Sequence, residues 1–413
     1  MNSRERILAC VAHREPDRVP VDLGATPSSG ISVVAYDNLL RHLGKQLPVY
    51  GFDVIQQVAQ PDEEILEMFG VDALDLGRFF INDPAYWQEM ELTPGHRALY
   101  PKWLKVERDT EGGFLAYGNT SGRIVGRMPQ GATFFDQTIF PYLDGFPADY
   151  KNLASDMALS VWGGIGIAPW DANTGPEFWS LLRRKAIEAR ENSDKALVLG
   201  IGCNLFEWGC FLRRMDNFMM DMFISPGEVH RLLDALMEIH MANLAKTCEA
   251  VGDVVDIIKF GDDLGMNTGP FMGEETYREF FKPRHRMLCD YARSHSRMIT
   301  MIHSCGSIEN LMPDLIDAGI EIFNPVQINA LNMSPAHLKK EFGSEATFWG
   351  GGIDTQGVLN RATPARIREH VLGNLEIFAR GGGYVFNPVH NIMADVPPEN
   401  VMAMFEAVAE FNA

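Results

Sequence analysis

The run MITMIHSCGS ends an apolar stretch with His303 and Cys305, two residues apart and just ahead of Gly306. Residues i and i+2 of a strand point to the same side, so one imidazole and one thiol can share an ion. A helix starting after Gly306 would present free N–H groups there and favour the thiolate. The same spacing also arises when a packed histidine sits beside a buried cysteine. The last apolar run, GGGYVFNPVHN, places His390 just past its end. Three N/S donors with an open fourth position are the pattern of catalytic zinc, and a thiolate among them disfavours magnesium or calcium. The alternative for His390 is a hydrogen bond near Asn387 or Asn391.

Carboxylates and amides stand at comparable positions. In DVVDIIKFGDDLG, Asp262 and Asp263 follow an apolar run, so one can turn inward to transfer protons or orient a ligand, or cap a helix or turn. FNPVQ offers Asn324 and Gln327, and FWGGGIDTQ offers Asp354 after Gly350–Gly352. These glycines permit close backbone approach to a large ligand, or serve the turn alone. Glu207 and Trp208 follow another apolar run, with Cys203 and Cys210 nearby. These four read more readily as packing, although Glu207 is also a candidate substrate contact. Asp22 and Gly24 close the first such run, and the loop ATPSSG after them borders the same region. The Met-rich run from Met215 to Phe223 reads as helix core rather than a cofactor box, though its soft side chains also fit an adaptable apolar surface.

The runs ending in these residues are expected strands: Val19–Leu23, Ala73–Leu76, Ala196–Ile201, Val255–Phe260, Met298–Ile302, Ile320–Phe323, Ala346–Trp349 and Tyr384–Phe386. Helical periodicity separates most of them. Eight strands spread over the chain predict an α/β fold, a closed (β/α)8 TIM barrel over residues 1–413, with functional groups where strands end. No G-x-G-x-x-G follows an early strand, which argues against a dinucleotide-binding sheet. Between 92 and 131, alternating apolar residues with turns at DTEGG and GNTSG predict an antiparallel β-hairpin insertion, a lid or a homodimer contact. The aromatic stretch 132–148 reads as a hydrophobic cover over a barrel edge.

The 413 residues carry 36 Lys plus Arg against 55 Asp plus Glu, a formal net charge of -19. No basic run offsets this, so nucleic acid is excluded as a partner. No run approaches a membrane span, the N-terminus lacks a signal-peptide pattern, and six cysteines are too few for a disulfide scaffold. A cytoplasmic protein is expected.

The opening RERILACVAHREPDRVPVDLG, HSCG at 303–306, GGID at 351–354 and NPVHNIMADVPPEN at 387–400 together resemble the uroporphyrinogen decarboxylase superfamily. The resemblance spans nearly the whole chain and implies a (β/α)8 barrel. It also implies one of two chemistries: decarboxylation, or zinc-dependent methyl transfer with corrinoid proteins or thiol acceptors. The decarboxylases carry an arginine-rich motif near M-R-Q-A-G-R that holds the substrate's carboxylates. Here ATPSSGISVVAYDNLL stands after VPVDLG, with no arginine before Arg41. The methyltransferases carry H-x-C, matched by His303 and Cys305, and a further ligand that is usually cysteine. His390 takes that place, leaving a metal that is a stronger Lewis acid, which suits an oxygen-bearing methyl donor.

The leading expectation is a zinc-dependent methyltransferase of a corrinoid system, an O-demethylase component, with Asp262 or Asp263 providing protons or anchoring the site. The D-x-H-x-x-G pattern of corrinoid-binding modules is absent, so the corrinoid (cobalamin) comes on a partner protein. The competing expectations are a metal-independent lyase on a carboxylic acid and a non-catalytic tetrapyrrole or corrinoid binder.

Overall fold

A computed structural model describes residues 1–81, 83–166 and 175–413. Among the described residues, seven parallel strands pair in chain order: β2 (Ala73–Asp75), β3 (Ala196–Gly202), β4 (Ile257–Gly261), β5 (Ile299–His303), β6 (Ile322–Asn324), β7 (Thr347–Trp349) and β8 (Tyr384–Val385). Segment 20–22, β1, closes the ring through single bridges from Val21 to Phe386 on one side and Val71 on the other. Asp22 N donates to Phe386 O at 2.8 Å, Phe386 N to Pro20 O at 2.9 Å and Asp72 N to Val21 O at 2.7 Å. The fold is therefore a (β/α)8 TIM barrel, with strands near all eight expected runs.

Strand alternation divides the side chains into two cores. Ala73, Val198, Ile257, Met301, Ile322, Trp349 and Val385 fill the barrel interior, where Ile7, Cys10 and Val11 of the helix Ser3–Val11 join them. Leu74, Leu199, Ile258, Ile302, Phe323 and Phe348 point outward into the larger core under the helices. Two residues further along each strand, the interior positions become Asp75, Gly200, Lys259, His303 and Asn324. The layer at the strands' C-terminal ends is thus polar above an apolar floor.

Antiparallel structure sits between β2 and β3, and before β2. Ile31–Ser32, Val58–Gln60, Tyr50–Asp53, His96–Pro101 and Trp87–Thr93 form one sheet, with a single parallel neighbour pair between the third and fourth. Lys105–Arg108, Phe114–Tyr117, Ile124–Met128 and Asp136–Gln137 form a meander. DTEGG closes its first turn through Asp109 N to Gly113 O, and GNTSG its second through Gly118 N to Arg123 O. Strand pairing thus runs on both sides of 92–131. In the aromatic stretch beyond it, Phe135 and Tyr142 are buried and Phe134 is exposed.

The Met-rich helix Met215–Ile224 divides between core and an apolar surface. Phe218 and Met222 are buried, but Met215, Met220, Phe223 and Ile224 are exposed. The six cysteines are unpaired; five are buried and Cys305 is partly exposed. Among the described residues no helix is long and apolar enough to cross a membrane.

Candidate metal centre at the barrel mouth

His303 ends β5 pointing inward, two residues above the interior Met301. Cys305 follows on a turn that Gly306 makes possible: its φ is +83°, and a Cβ there would lie 2.2 Å from the Gly265 carbonyl carbon. The turn is held from both sides. Cys305 N donates to Asp263 Oδ1 at 2.8 Å, and Gly306 N to Gln327 Oε1 at 2.8 Å. His390, past β8, brings its ring centroid to 5.7 Å from that of His303. One ligand atom from each of His303, Cys305 and His390 lies within 4.8 Å of the other two. Tetrahedral zinc places such donors about 3.5 Å apart, so a modest contraction would seat the ion.

Hydrogen bonds behind the cluster fix the imidazoles. Asn324 Nδ2 donates to Trp349 O at 3.0 Å, so its Oδ1 is the face turned to His303. That oxygen accepts from Ser28 Oγ at 2.8 Å and from His303 Nδ1 at 2.7 Å. His303 therefore carries its proton on Nδ1 and aims the Nε2 lone pair at Cys305 Sγ, 3.5 Å away. His390 Nδ1 faces Asn391 Oδ1 at 3.0 Å; the tautomer that donates to that oxygen leaves its Nε2 free.

Burial, helped by the neighbouring Lys259, pushes His303 down to about 4, and burial also pulls His390 down. Both rings are neutral at pH 7, as metal ligands must be. Burial, with Asp263 alongside, holds the Cys305 thiol well above its ordinary range. A cation among the three donors would offset that and favour the thiolate. The donor set fits a zinc ion.

The other candidates separate by what they touch. Asp263 lies beside the cluster, with Oδ1 3.6 Å from His303 Nε2. Asp262 is fully buried and accepts from Phe206 N and Glu207 N at 3.0 Å each, so it caps the helix Phe206–Arg213. Glu207 Oε2 accepts from Asn204 Nδ2 and from Asp263 N at 3.2 Å. Burial, then the charges of Asp263 and Asp262, raise its carboxyl well above the ordinary range. Gln327 braces the Gly306 turn and donates to Asn267 Oδ1 at 2.6 Å. Asp354 accepts from Gln356 N and Gly357 N within its own turn. The close approach at Gly350 is to protein: a Cβ there would lie 2.0 Å from Pro325 O.

Lys259, an interior residue of β4, was not among the sequence candidates. Its ammonium lies among Asp75, Glu207, Asp263 and Cys305, and burial pulls its pKa down. The available signal was a lysine inside the apolar run DIIKF, in phase with the inward Ile257.

Residues 199–411 match the family model described as uroporphyrinogen decarboxylase (URO-D). Among curated relatives, the uroporphyrinogen decarboxylase of Chlorobaculum tepidum is 25% identical over 195 residues, 46% of this chain and 52% of the relative. That of Pseudoalteromonas translucida is 40% identical over 83 residues, 20% of this chain and 22% of the relative. The chain thus spans about half the length of the first of these relatives, and less of the second. A solved methyltransferase from Methanosarcina mazei superposes with a TM-score of 0.60 at 18% identity, covering 100% of both chains, a likeness of fold. Because the family model covers more than half of the sequence, the chain belongs to the uroporphyrinogen decarboxylase (URO-D) family.

Proposed function

We propose that this protein is a zinc-dependent methyltransferase of a corrinoid system, acting as an O-demethylase component in the cytoplasm. The observation that carries the reading is the convergence of His303, Cys305 and His390, with the His303 Nε2 lone pair fixed by Asn324. Zinc held by these three donors supplies Lewis acidity toward the heteroatom bearing the methyl group. The methyl acceptor is a corrinoid brought by a separate protein.

The chain's own residues prepare the site. Asn324 keeps the His303 proton on Nδ1, and Asp263 and Gln327 hold the Cys305–Gly306 turn in place. Asp262 fixes the start of the helix bearing Glu207. Glu207 accepts its hydrogen bonds at Oε2, so Oε1 is the atom that holds a proton for the leaving oxygen. Asn324 and Gln327 act as positioning residues, while Asp354 belongs to the rim of the mouth.

The test is methyl transfer from a panel of methoxylated aromatics to cob(I)alamin, followed in the visible spectrum. Wild type transfers and Cys305→Ala does not; equal rates above background in both contradict the reading. The family model and curated relatives favour a second reading, a metal-independent lyase on a carboxylic acid. Carbon dioxide release that survives a chelator and depends on Asp262 or Asp263 would select it.

A further inference from the structure

We propose that the loops after β4, β6 and β7 form an uncharged rim beside the metal centre that seats the carboxamide-fringed edge of the corrinoid. The inference deepens the reading above, on which it rests for the identity of the methyl acceptor, by naming the surface of this chain that meets it.

The rim is built onto the turn that carries Cys305. Beyond β4 the chain folds into a small antiparallel hairpin, Gly265 opposite Pro270, whose backbone lies against Gly306. Ser307 N donates to Met266 O at 2.8 Å, and Ser307 Oγ to Leu331 O at 2.7 Å. Leu331 N in turn donates to Asn267 O at 2.8 Å, which ties the loop after β6 to the hairpin. Met266 is 43% exposed and Leu331 56%, so two apolar side chains face solvent on the backbone that flanks the partly exposed Cys305.

A chain of amides runs outward from the same turn, and a backbone donor fixes its direction. Gly306 N donates to Gln327 Oε1, so Gln327 Nε2 is the group that donates to Asn267 Oδ1. Asn267 Nδ2 then donates to Gln356 Oε1 at 3.2 Å, and Asn329 Nδ2 donates to the same oxygen at 2.9 Å. Gln356 Nε2 and Asn329 Oδ1 are left over, both on exposed residues and without a partner among the described residues. A donor and an acceptor side by side are what a primary carboxamide pairs with.

Charge selects between occupants. Residues 264–273 and 325–334 hold no charged side chain, in a protein that is 22% charged and carries a net -19. Asp354, two residues before Gln356, is spent on Gln356 N and Gly357 N. A macrocycle fringed with carboxylates finds no cation in these segments and meets the field of the whole protein as repulsion. A ring fringed with amides finds hydrogen-bond partners and apolar side chains to lie on. The acceptor has to approach where the Cys305 turn is open to solvent, and these loops border that opening.

The experiment is equilibrium dialysis of the full-length protein against dicyanocobinamide and dicyanocobyrinic acid, read in the visible spectrum. The first ring is fringed with amides and the second with carboxylates, and cyanide caps the cobalt of both, so Cys305 cannot ligate it. Wild type should bind the amide ring saturably below about 1 mM, and the acid at least about tenfold more weakly. Gln356→Leu should weaken the amide ring about three- to tenfold, the range of a neutral hydrogen bond, and Leu331→Asp at least about tenfold. Phe223→Asp, on the exposed Met-rich helix, should leave it unchanged. If circular dichroism shows Gln356→Leu unfolded, Asn329→Leu replaces it, with the same loss expected.

No binding up to about 1 mM, equal affinity for both rings, wild-type affinity in folded Gln356→Leu and Leu331→Asp, or an equal loss in Phe223→Asp overturns the assignment. Methyl transfer to cob(I)alamin is scored separately. Rim-dependent binding without transfer retains the surface and contradicts the function. Transfer whose dependence on cob(I)alamin concentration is the same in wild type, Gln356→Leu and Leu331→Asp contradicts the surface alone.

Discussion

The Nδ1–H of His303 donates to Oδ1 of Asn324 at 2.7 Å, and this bond decides which imidazole nitrogen faces Cys305. An asparagine at the tip of β6 thus sets the tautomer of a residue at the tip of β5, and Trp349 O sets the asparagine. Partners behind a metal ligand commonly change metal affinity ten- to a hundredfold. Asn324→Leu is therefore predicted to weaken zinc binding by about that factor, read by competition with a chromogenic chelator. The variant's circular dichroism should remain that of the wild type. Unchanged affinity in a folded variant contradicts the role of Asn324.

Metal uptake should release about one proton per chain at pH 7, all of it from Cys305. His303, pushed down to about 4, has already lost its second proton, while burial keeps the thiol protonated. Apparent zinc affinity accordingly rises about tenfold per pH unit through the neutral range. Titration calorimetry in two buffers of different ionisation enthalpy counts the proton. A count of zero, or loss of the pH slope only when a histidine is replaced, goes against this assignment.

Asp22 gives a stability prediction of defined sign. Burial pushes its carboxyl up to about 6, although Trp349 Nε1 donates to it at 2.7 Å and Ala25 N at 2.9 Å. The folded value lies above the unfolded one, so the contribution is full below the unfolded value and lost as pH rises through about 6. Urea unfolding of wild type and Asp22→Asn should show a larger wild-type advantage at pH 5 than at pH 7. An equal or reversed difference would show that Asp22 titrates normally.

Gly306→Ala is predicted to destabilise the fold by more than about 1 kcal/mol, because φ is +83° and the added Cβ meets Gly265 backbone at 2.2 Å. The displaced turn carries Cys305, so metal content should fall as well. A variant with wild-type melting and a full complement of zinc would contradict the account of the turn.

Much of the barrel was legible because parallel strands buried on both sides are short apolar runs, and eight of them occur in order. β1 is the exception in kind: Val19–Leu23 reads as a strand, yet it closes the ring through bridges at Val21 alone. The convergence of His303, Cys305 and His390 was open to reasoning because strand tips of a barrel share one mouth. Which carboxylate approaches the cluster was not, since Asp262 and Asp263 differ only in the side to which the backbone turns after Gly261. Asp354 shows the same limit, as a turn and a ligand contact ask for the same residue. Lys259 escaped notice because a lysine in a strand is usually read as solvent-facing, and only closure of the barrel makes its position interior. The sheet pairing 31–60 with 87–101 depends on contacts distant in sequence, whereas DTEGG and GNTSG announce their turns locally.

The most direct test of the central claim is elemental analysis of protein purified without chelator or affinity metal, with Cys305→Ser and His390→Ala alongside. The account predicts about one zinc per wild-type chain and loss of it in both variants. Wild-type protein that holds no metal after zinc is offered and the excess removed would contradict it.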